Sequence, residues 1–202
     1  EDAIYWYDAV LKHIEKNKGR KTEYAEILTF KAGDLYFSKQ YNGSIKSAKE
    51  ALDIIKTYKP NDFYDRYTAL KTMYKCYESQ NEYANAVPYM QEALDLLKHK
   101  YQDNEYYKQV EEIVYTYYAL LSAYDKLNNN EKLSSIAKDA TQYIVKNNKE
   151  IKDSAFETVA TSIVEYLIKY YMNNGEKAAL QNNYNDCLSS YNEAVELLEY
   201  GI

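Results

Sequence analysis

The sequence predicts an all-α fold in which helix pairs repeat along the chain and stack as a solenoid. A segment of eight residues occurs three times with little change, at 49–56, 91–98 and 192–199. Ala51 lies 42 residues after Ala9, and Ala93 lies 42 residues after Ala51. A fixed period of this size is typical of repeat proteins, in which each unit buries its apolar face against its neighbours. The spacing then grows to 47 residues at Ala140 and to 54 at Ala194.

The composition favours helices and argues against several functional classes. The 202 residues include only 5 Gly and 2 Pro, and 28% are charged, which favours long solvated helices over strands. The net charge of −6 argues against a nucleic-acid surface, because such a surface needs a basic stripe. No apolar run approaches the roughly 18 residues of a membrane helix. The 26 tyrosines supply aromatic packing area together with hydroxyls that can reach water.

Apolar residues at helical spacing divide the chain into a half repeat and four repeats, at 1–19, 22–60, 63–101, 104–148 and 153–202. We expect turns where helix-breaking residues cluster, at 42–43, 60–62, 80–82, 128–130 and 173–175. The expected helices cover 3–18, 22 to the turn at 42–43, 44–58, 64–79, 84–100, 104–127, 131–147, 153–172 and 184–200. Residues 176–182 fit either a continuation of the preceding helix or a short separate helix. No segment alternates in period two for long enough to predict a strand.

Three local signals refine these helix ends. Gly19 suits the C-terminal cap of the first helix, and Thr22 suits the N-terminal cap of the second. Pro88 is expected in the first turn of its helix, where a missing N–H costs little.

The predicted repeat at 63–101 resembles the tetratricopeptide repeat. Its apolar residues match that family's pattern at Leu70, Met73, Tyr74 and Tyr77 on the first helix and at Tyr83, Ala86, Val87, Met90, Ala93 and Leu94 on the second. Tyr74 and Met90 depart from the pattern, since the family prefers a small residue and an aromatic residue there. The family's usual period is 34 residues, and longer periods are similar to those of kinesin light chains and of cytoplasmic peptide-pheromone receptors.

The resemblance implies a right-handed superhelical solenoid of antiparallel helix pairs. Its concave surface would be lined by the first helix of each pair, here called the first-type helix, and would bind a peptide or protein segment. The inward positions that the resemblance implies are Phe30, Asp34, Phe37, Thr68, Lys71, Lys75, Glu78, Tyr115, Tyr118, Ser122 and Asp125.

Two pairs of these inward residues suggest what a partner would offer. Lys71 and Lys75, four residues apart, could meet a carboxylate or a peptide C-terminus. Tyr115 and Tyr118 could form a stacking wall for an apolar side chain. The plainer interpretation is that the lysines are solvated and the tyrosines belong to the core between repeats.

The sequence contains no pattern that predicts catalysis or metal binding. No nucleophile elbow or phosphate-cradling glycine loop is present. His13 and His99 are isolated, whereas zinc needs three or four ligands. Cys76 and Cys187 fit reduced, partly buried thiols, which favours a cytoplasmic location. We therefore expect no enzyme activity, no cofactor and no metal.

Three functions remain open. The leading hypothesis is a scaffold that holds a protein or peptide segment in its concave groove. Because the chain opens at Glu1 inside a half repeat, a second hypothesis is the peptide-sensing domain of a larger transcriptional or signalling protein. The third is self-association as a homodimer through the apolar faces of the end helices, 3–18 and 184–200.

Overall fold

A computed structural model describes residues 2–16, 20–100, 107–147, 151 and 157–199. Within these residues nine helices have defined bounds, and no strand occurs, which confirms the predicted all-α class. In chain order they are α1 (Asp2–Lys16), α2 (Lys21–Phe37), α3 (Tyr41–Tyr58), α4 (Phe63–Ser79), α5 (Tyr83–Lys100), α6 (Tyr107–Lys126), α7 (Asn130–Lys146), α8 (Glu157–Leu180) and α9 (Tyr184–Glu199). None of them combines the length and apolarity needed to cross a membrane.

The chain divides into two compact units, 1–103 and 104–202. The first contains α1 to α5, with α2 packed on α3, α3 on α4 and α4 on α5. The second contains α6 to α9, with α6 packed on α7 and α8 on α9. The division falls between the predicted repeats 63–101 and 104–148. A single domain over 1–202 remains a prediction.

Small side chains are buried at the positions that carry the repeat period. Ala51, Ala93, Ala140 and Ala194, which carry the repeat period, are buried in α3, α5, α7 and α9. A larger side chain at a helix crossing would hold the two helices apart and lose the contacts around it. The repeated segment therefore specifies packing.

A chain of polar contacts ties three helices of the first unit together. The Ser44 hydroxyl in α3 donates to the carbonyl oxygen of Ala32 in α2, at 2.6 Å. The thiol of Cys76 in α4 donates to the same hydroxyl, at 3.2 Å. Since all three residues are buried, each polar group keeps a partner where water is absent. The second cysteine, Cys187, is half-buried, and both thiols are free as expected.

A carboxylate holds α5 against the two helices before it. Glu92 accepts from Lys56 of α3 at 2.9 Å and from Arg66 of α4 at 2.8 Å. Burial opposes ionisation of Glu92, but the hydrogen bonds and positive charges of its two partners outweigh it and lower the pKa of this carboxyl. The ion pairs therefore join two successive helix pairs of the first unit.

The predicted turn at Asn42-Gly43 is wrong. The chain turns earlier, where Lys39 adopts a left-handed conformation with φ of 59° and the Gln40 amide donates to the Leu35 carbonyl at 2.8 Å. Asn42 and Gly43 instead lie in the first turn of α3. Asn and Gly cost little there, because the first amides of a helix have no partner within it.

Two other local signals were also wrong. α2 begins at Lys21 after the N-cap Arg20, so Thr22 lies inside the helix, and Arg20 pairs with Glu23 at 2.5 Å. Pro88 lies in the second turn of α5 and not in the first. The predicted cap at Gly19 lies outside the described residues.

The expected interruption at Asn173-Asn174-Gly175 is absent, and α8 continues to Leu180. At position 175, α9 passes so close that only glycine fits. A Cβ built on Gly175 would lie 2.8 Å from Cε1 of Tyr191. The turn comes at Asn182, with φ of 58°, so most of the ambiguous 176–182 segment continues the helix.

The other asparagine turns are confirmed by the same geometry. Asn81 ends α4 with φ of 60°, and Asn128 ends α6 with φ of 53°. Asn is among the few residues that adopt this conformation readily.

The 42-residue period does not predict which face of α1 is buried. Ala9 is exposed, although its counterparts Ala51 and Ala93 are buried. α1 packs on α2 and buries Leu11 and Ile14 instead. This orientation leaves Trp6 exposed, at 65% of its surface.

Substituting two helical glycines should change stability in opposite directions. Gly175→Ala should destabilise the protein by about 1–3 kcal/mol, because the new methyl overlaps the Tyr191 ring. Gly33→Ala is the matched control, since a Cβ there meets nothing within 4 Å and the helix gains about 0.5–1 kcal/mol. Urea unfolding measures both, and a neutral Gly175→Ala would contradict the close crossing of α8 and α9.

Candidate functional site

The solvent-facing side of α4, here called its outer face, carries four of the residues that the resemblance assigns to the concave surface. Thr68, Lys71, Lys75 and Glu78 are all half-buried, and their spacing of three and four residues puts them on one face. The Lys71 ammonium lies 5.5 Å from the centre of the Tyr67 ring, within reach of a cation–π interaction. The face therefore carries two cations whose side chains are partly held in place.

Glu78 is the unusual group on this face. Burial raises the pKa of its carboxyl to about 7, and the nearby positive charge of Lys75 lowers it by less. Glu78 is thus part protonated near neutral pH. Sequence alone cannot show this, because the shift comes from burial in the folded unit.

The residues expected on α2 fall into two environments. Phe30 and Phe37 are exposed, at 56% and 81% of their surfaces. Asp34 is half-buried and accepts a hydrogen bond from the hydroxyl of Tyr7 in α1. The pKa of Tyr7 is raised, mainly by burial and also by this hydrogen bond and the charge of Asp34. The phenylalanines are available to a partner, whereas Asp34 already holds α1.

The outer face of α6 carries the candidate residues of the second unit. Tyr115 and Tyr118 are 38% and 44% exposed, Ser122 is half-buried and Asp125 is exposed. Tyr117 lies on the opposite side, fully buried, with its ring 5.8 Å from that of Tyr143. A rotation of 100° per residue predicts this separation of Tyr117 from Tyr115. Tyr115 and Tyr118 are therefore not part of the core.

The structure adds Tyr166 of α8 to this surface. Its ring meets that of Tyr118 nearly edge to face, with centres 6.4 Å apart and an angle of 81°. Burial first, and then the nearby Asp125, Tyr170 and Tyr118, together raise the pKa of Tyr166 to about 12.

Tyr166 is not among the residues expected on this surface from the sequence. The residue that faces the core is Tyr171, which is buried and hydrogen-bonds Thr141 of α7 at 3.3 Å. Tyr166 and Tyr170 are four residues apart, and this spacing was the signal for a shared face.

Among the residues that the structure describes, no group of three or more His, Cys, Asp or Glu side chains could hold a metal ion. His13 and His99 are both exposed and lie on different helices.

Two solved structures share the fold of this chain. One is aspartyl phosphate phosphatase F from Bacillus subtilis, at 12% identity and a TM-score of 0.55; the match covers 96% of this chain and 54% of that one. The other is the apo form of RapI, at 14% identity and a TM-score of 0.54, with 98% and 76% covered. No protein-family model matches the sequence, and no curated protein is significantly similar to it. The likeness confirms the predicted all-α solenoid fold.

The chain spans about half the length of the B. subtilis phosphatase, so the likeness bears on the fold alone.

Replacing Glu78 should remove a pH dependence from stability. The native carboxyl keeps its proton up to about pH 7, whereas the unfolded one releases it near its ordinary value of 4.5. The unfolded state therefore binds fewer protons in this window, and stability falls as the pH rises through it. Glu78→Gln stays neutral, so the variant should gain stability over the wild type at pH 8 but much less at pH 5.

Urea unfolding at the two pH values measures this difference. Glu165→Gln, at an exposed carboxyl on α8, is the control and should change neither value. An equal effect of Glu78→Gln at both pH values would show that Glu78 is not buried as described.

Proposed function

We propose that the outer faces of the first-type helices bind an extended peptide or protein segment, in the manner of a tetratricopeptide-like scaffold. The support is a repeated set of accessible side chains. Tyr115, Tyr118, Ser122 and Asp125 each follow by 47 residues the four residues of the α4 face, Thr68, Lys71, Lys75 and Glu78. The same 47 residues separate the buried alanines Ala93 and Ala140.

The two kinds of position differ in what they hold. The alanine positions lie in the second helix of each pair, here called the second-type helix, and are buried in both units. Those on the outer faces change from threonine and lysine to tyrosine and from lysine to serine and keep only the carboxylate, and all of them are exposed or half-buried. Packing does not dictate side chains at such positions, so they are available for recognition. This contrast is the observation that carries the proposal.

The ligand is proposed to be a segment in extended or helical form. The α4 face offers Lys71 and Lys75, which suit a carboxylate, and the nearby first-type helix α2 offers the exposed rings of Phe30 and Phe37. Aromatic anchors and charged groups together are typical of protein-binding surfaces. The phosphatase activity of the B. subtilis protein is not extended to this chain, because the likeness shows only the fold.

The proposal can be tested with peptides selected from a random library displayed on phage. The tightest peptide is titrated against Lys71→Glu and Tyr118→Ala, each as a single change. Lys71→Glu should weaken a peptide bound by the first unit, and Tyr118→Ala one bound by the second unit, by about 1–2 kcal/mol, or roughly five- to thirtyfold, because each change removes a contact with the ligand.

Two exposed residues of the same types on α3 give matched controls. Lys49→Glu and Tyr58→Ala should leave the affinity unchanged, and circular dichroism checks that all four variants keep their helices. Failure to select any peptide, or an affinity that survives both site variants, would contradict the proposal.

A further inference from the structure

In the second unit, three tyrosines and one carboxylate lie close together on α6 and α8. Tyr118 and Asp125 are two turns apart on α6, or about 10 Å along the helix. The Tyr166 ring of α8 meets the Tyr118 ring nearly edge to face, and Asp125 is near enough for its charge to raise the pKa of the Tyr166 hydroxyl. Tyr170 is the fourth member. We call these four residues the tyrosine–aspartate cluster.

The electrostatic character of the cluster is negative. Every charge found to act on Tyr166 disfavours its anion, and the carboxylate of Asp125 is the one that is ionised at neutral pH. In the part of the chain described here, Asp125 forms no ion pair with a lysine or arginine. The carboxylates Glu92, Glu26 and Glu23 of the first unit all do so.

A cation fits this surface better than the alternatives. The faces of tyrosine rings attract cations, by about 0.5–1 kcal/mol at exposed sites and more when water is excluded. A guanidinium can stack on a ring and also donate two hydrogen bonds to a carboxylate. An anion would be repelled by Asp125, and an apolar side chain would take water from that carboxylate without replacing its hydrogen bonds.

We propose that the tyrosine–aspartate cluster binds a basic side chain, arginine or lysine, of the segment held by the outer faces. This rests on the peptide-binding function proposed above and gives it a chemical specificity. Tyr118 and Tyr166 supply the aromatic surface, and Asp125 supplies the countercharge. It also revises the expectation from sequence, in which the tyrosines met an apolar side chain.

The experiment uses a random octapeptide library with acetylated N-termini and free C-termini. Acetylation removes the α-amino group, so that only side chains can supply a cation. Peptides retained by the protein are sequenced by mass spectrometry. One retained arginine peptide is then compared with its citrulline counterpart, which has almost the same shape but no charge.

We expect arginine and lysine to be enriched among the retained peptides. The wild type should bind the arginine peptide about fivefold or more tightly than the citrulline peptide, as expected for a partly exposed ion pair supported by aromatic rings. Asp125→Asn should abolish this preference. The control Asp95→Asn, which removes an exposed carboxylate from α5, should keep it.

Two different failures can be distinguished. Retained peptides without basic residues, or an arginine preference that survives Asp125→Asn, would overturn the cation site and leave peptide binding intact. Retention of no peptide above an unrelated protein would overturn peptide binding and the cation site together. Circular dichroism of Asp125→Asn verifies that any lost preference is not lost folding.

Discussion

The close approach of helices at small residues is the constraint on which the rest of this structure depends. Ala51, Ala93, Ala140 and Ala194 carry the repeat period and are buried in the second-type helices. Gly175 extends the rule to a place where the Tyr191 ring leaves no room for a methyl group. Because interiors are packed to the density of organic crystals, a larger side chain at such a point must move a whole helix. The repeated alanine is thus a condition for the helix pairs.

A scaffold specified in this way leaves the outer faces of the first-type helices free to differ. The α4 face carries two lysines and a part-protonated glutamate, whereas the α6 face carries two tyrosines, a serine and an aspartate. The two faces occupy the same places in their repeats but offer opposite charge. Each face would therefore select a different chemistry in the segment that it binds.

Much of this organisation could be predicted from the sequence, because helix periodicity and a buried alanine leave a clear pattern. The turns at Asn81 and Asn128 could also be predicted, because asparagine tolerates a left-handed backbone. Two glycines were wrongly assigned to turns. Gly43 lies in the first turn of a helix and Gly175 at a helix crossing, and composition cannot distinguish either position from a turn.

The candidate site was predicted in part. The inward residues of α4 and α6 follow from their register in the repeat. Tyr166 did not follow, because the last repeat has a longer period and its register could not be carried over from the earlier ones. The raised pKa of Glu78 depends on burial by the folded chain, which no local pattern records.

Photo-cross-linking tests most directly whether first-type helices hold the ligand and second-type helices hold the scaffold. A peptide selected on the protein is made with a photoreactive diazirine residue, and the attached residues are mapped by mass spectrometry. If the outer faces bind the peptide, cross-links fall on α2, α4, α6 or α8, near residues such as Thr68 and Ser122. Cross-links confined to α3, α5, α7 and α9 would contradict this assignment.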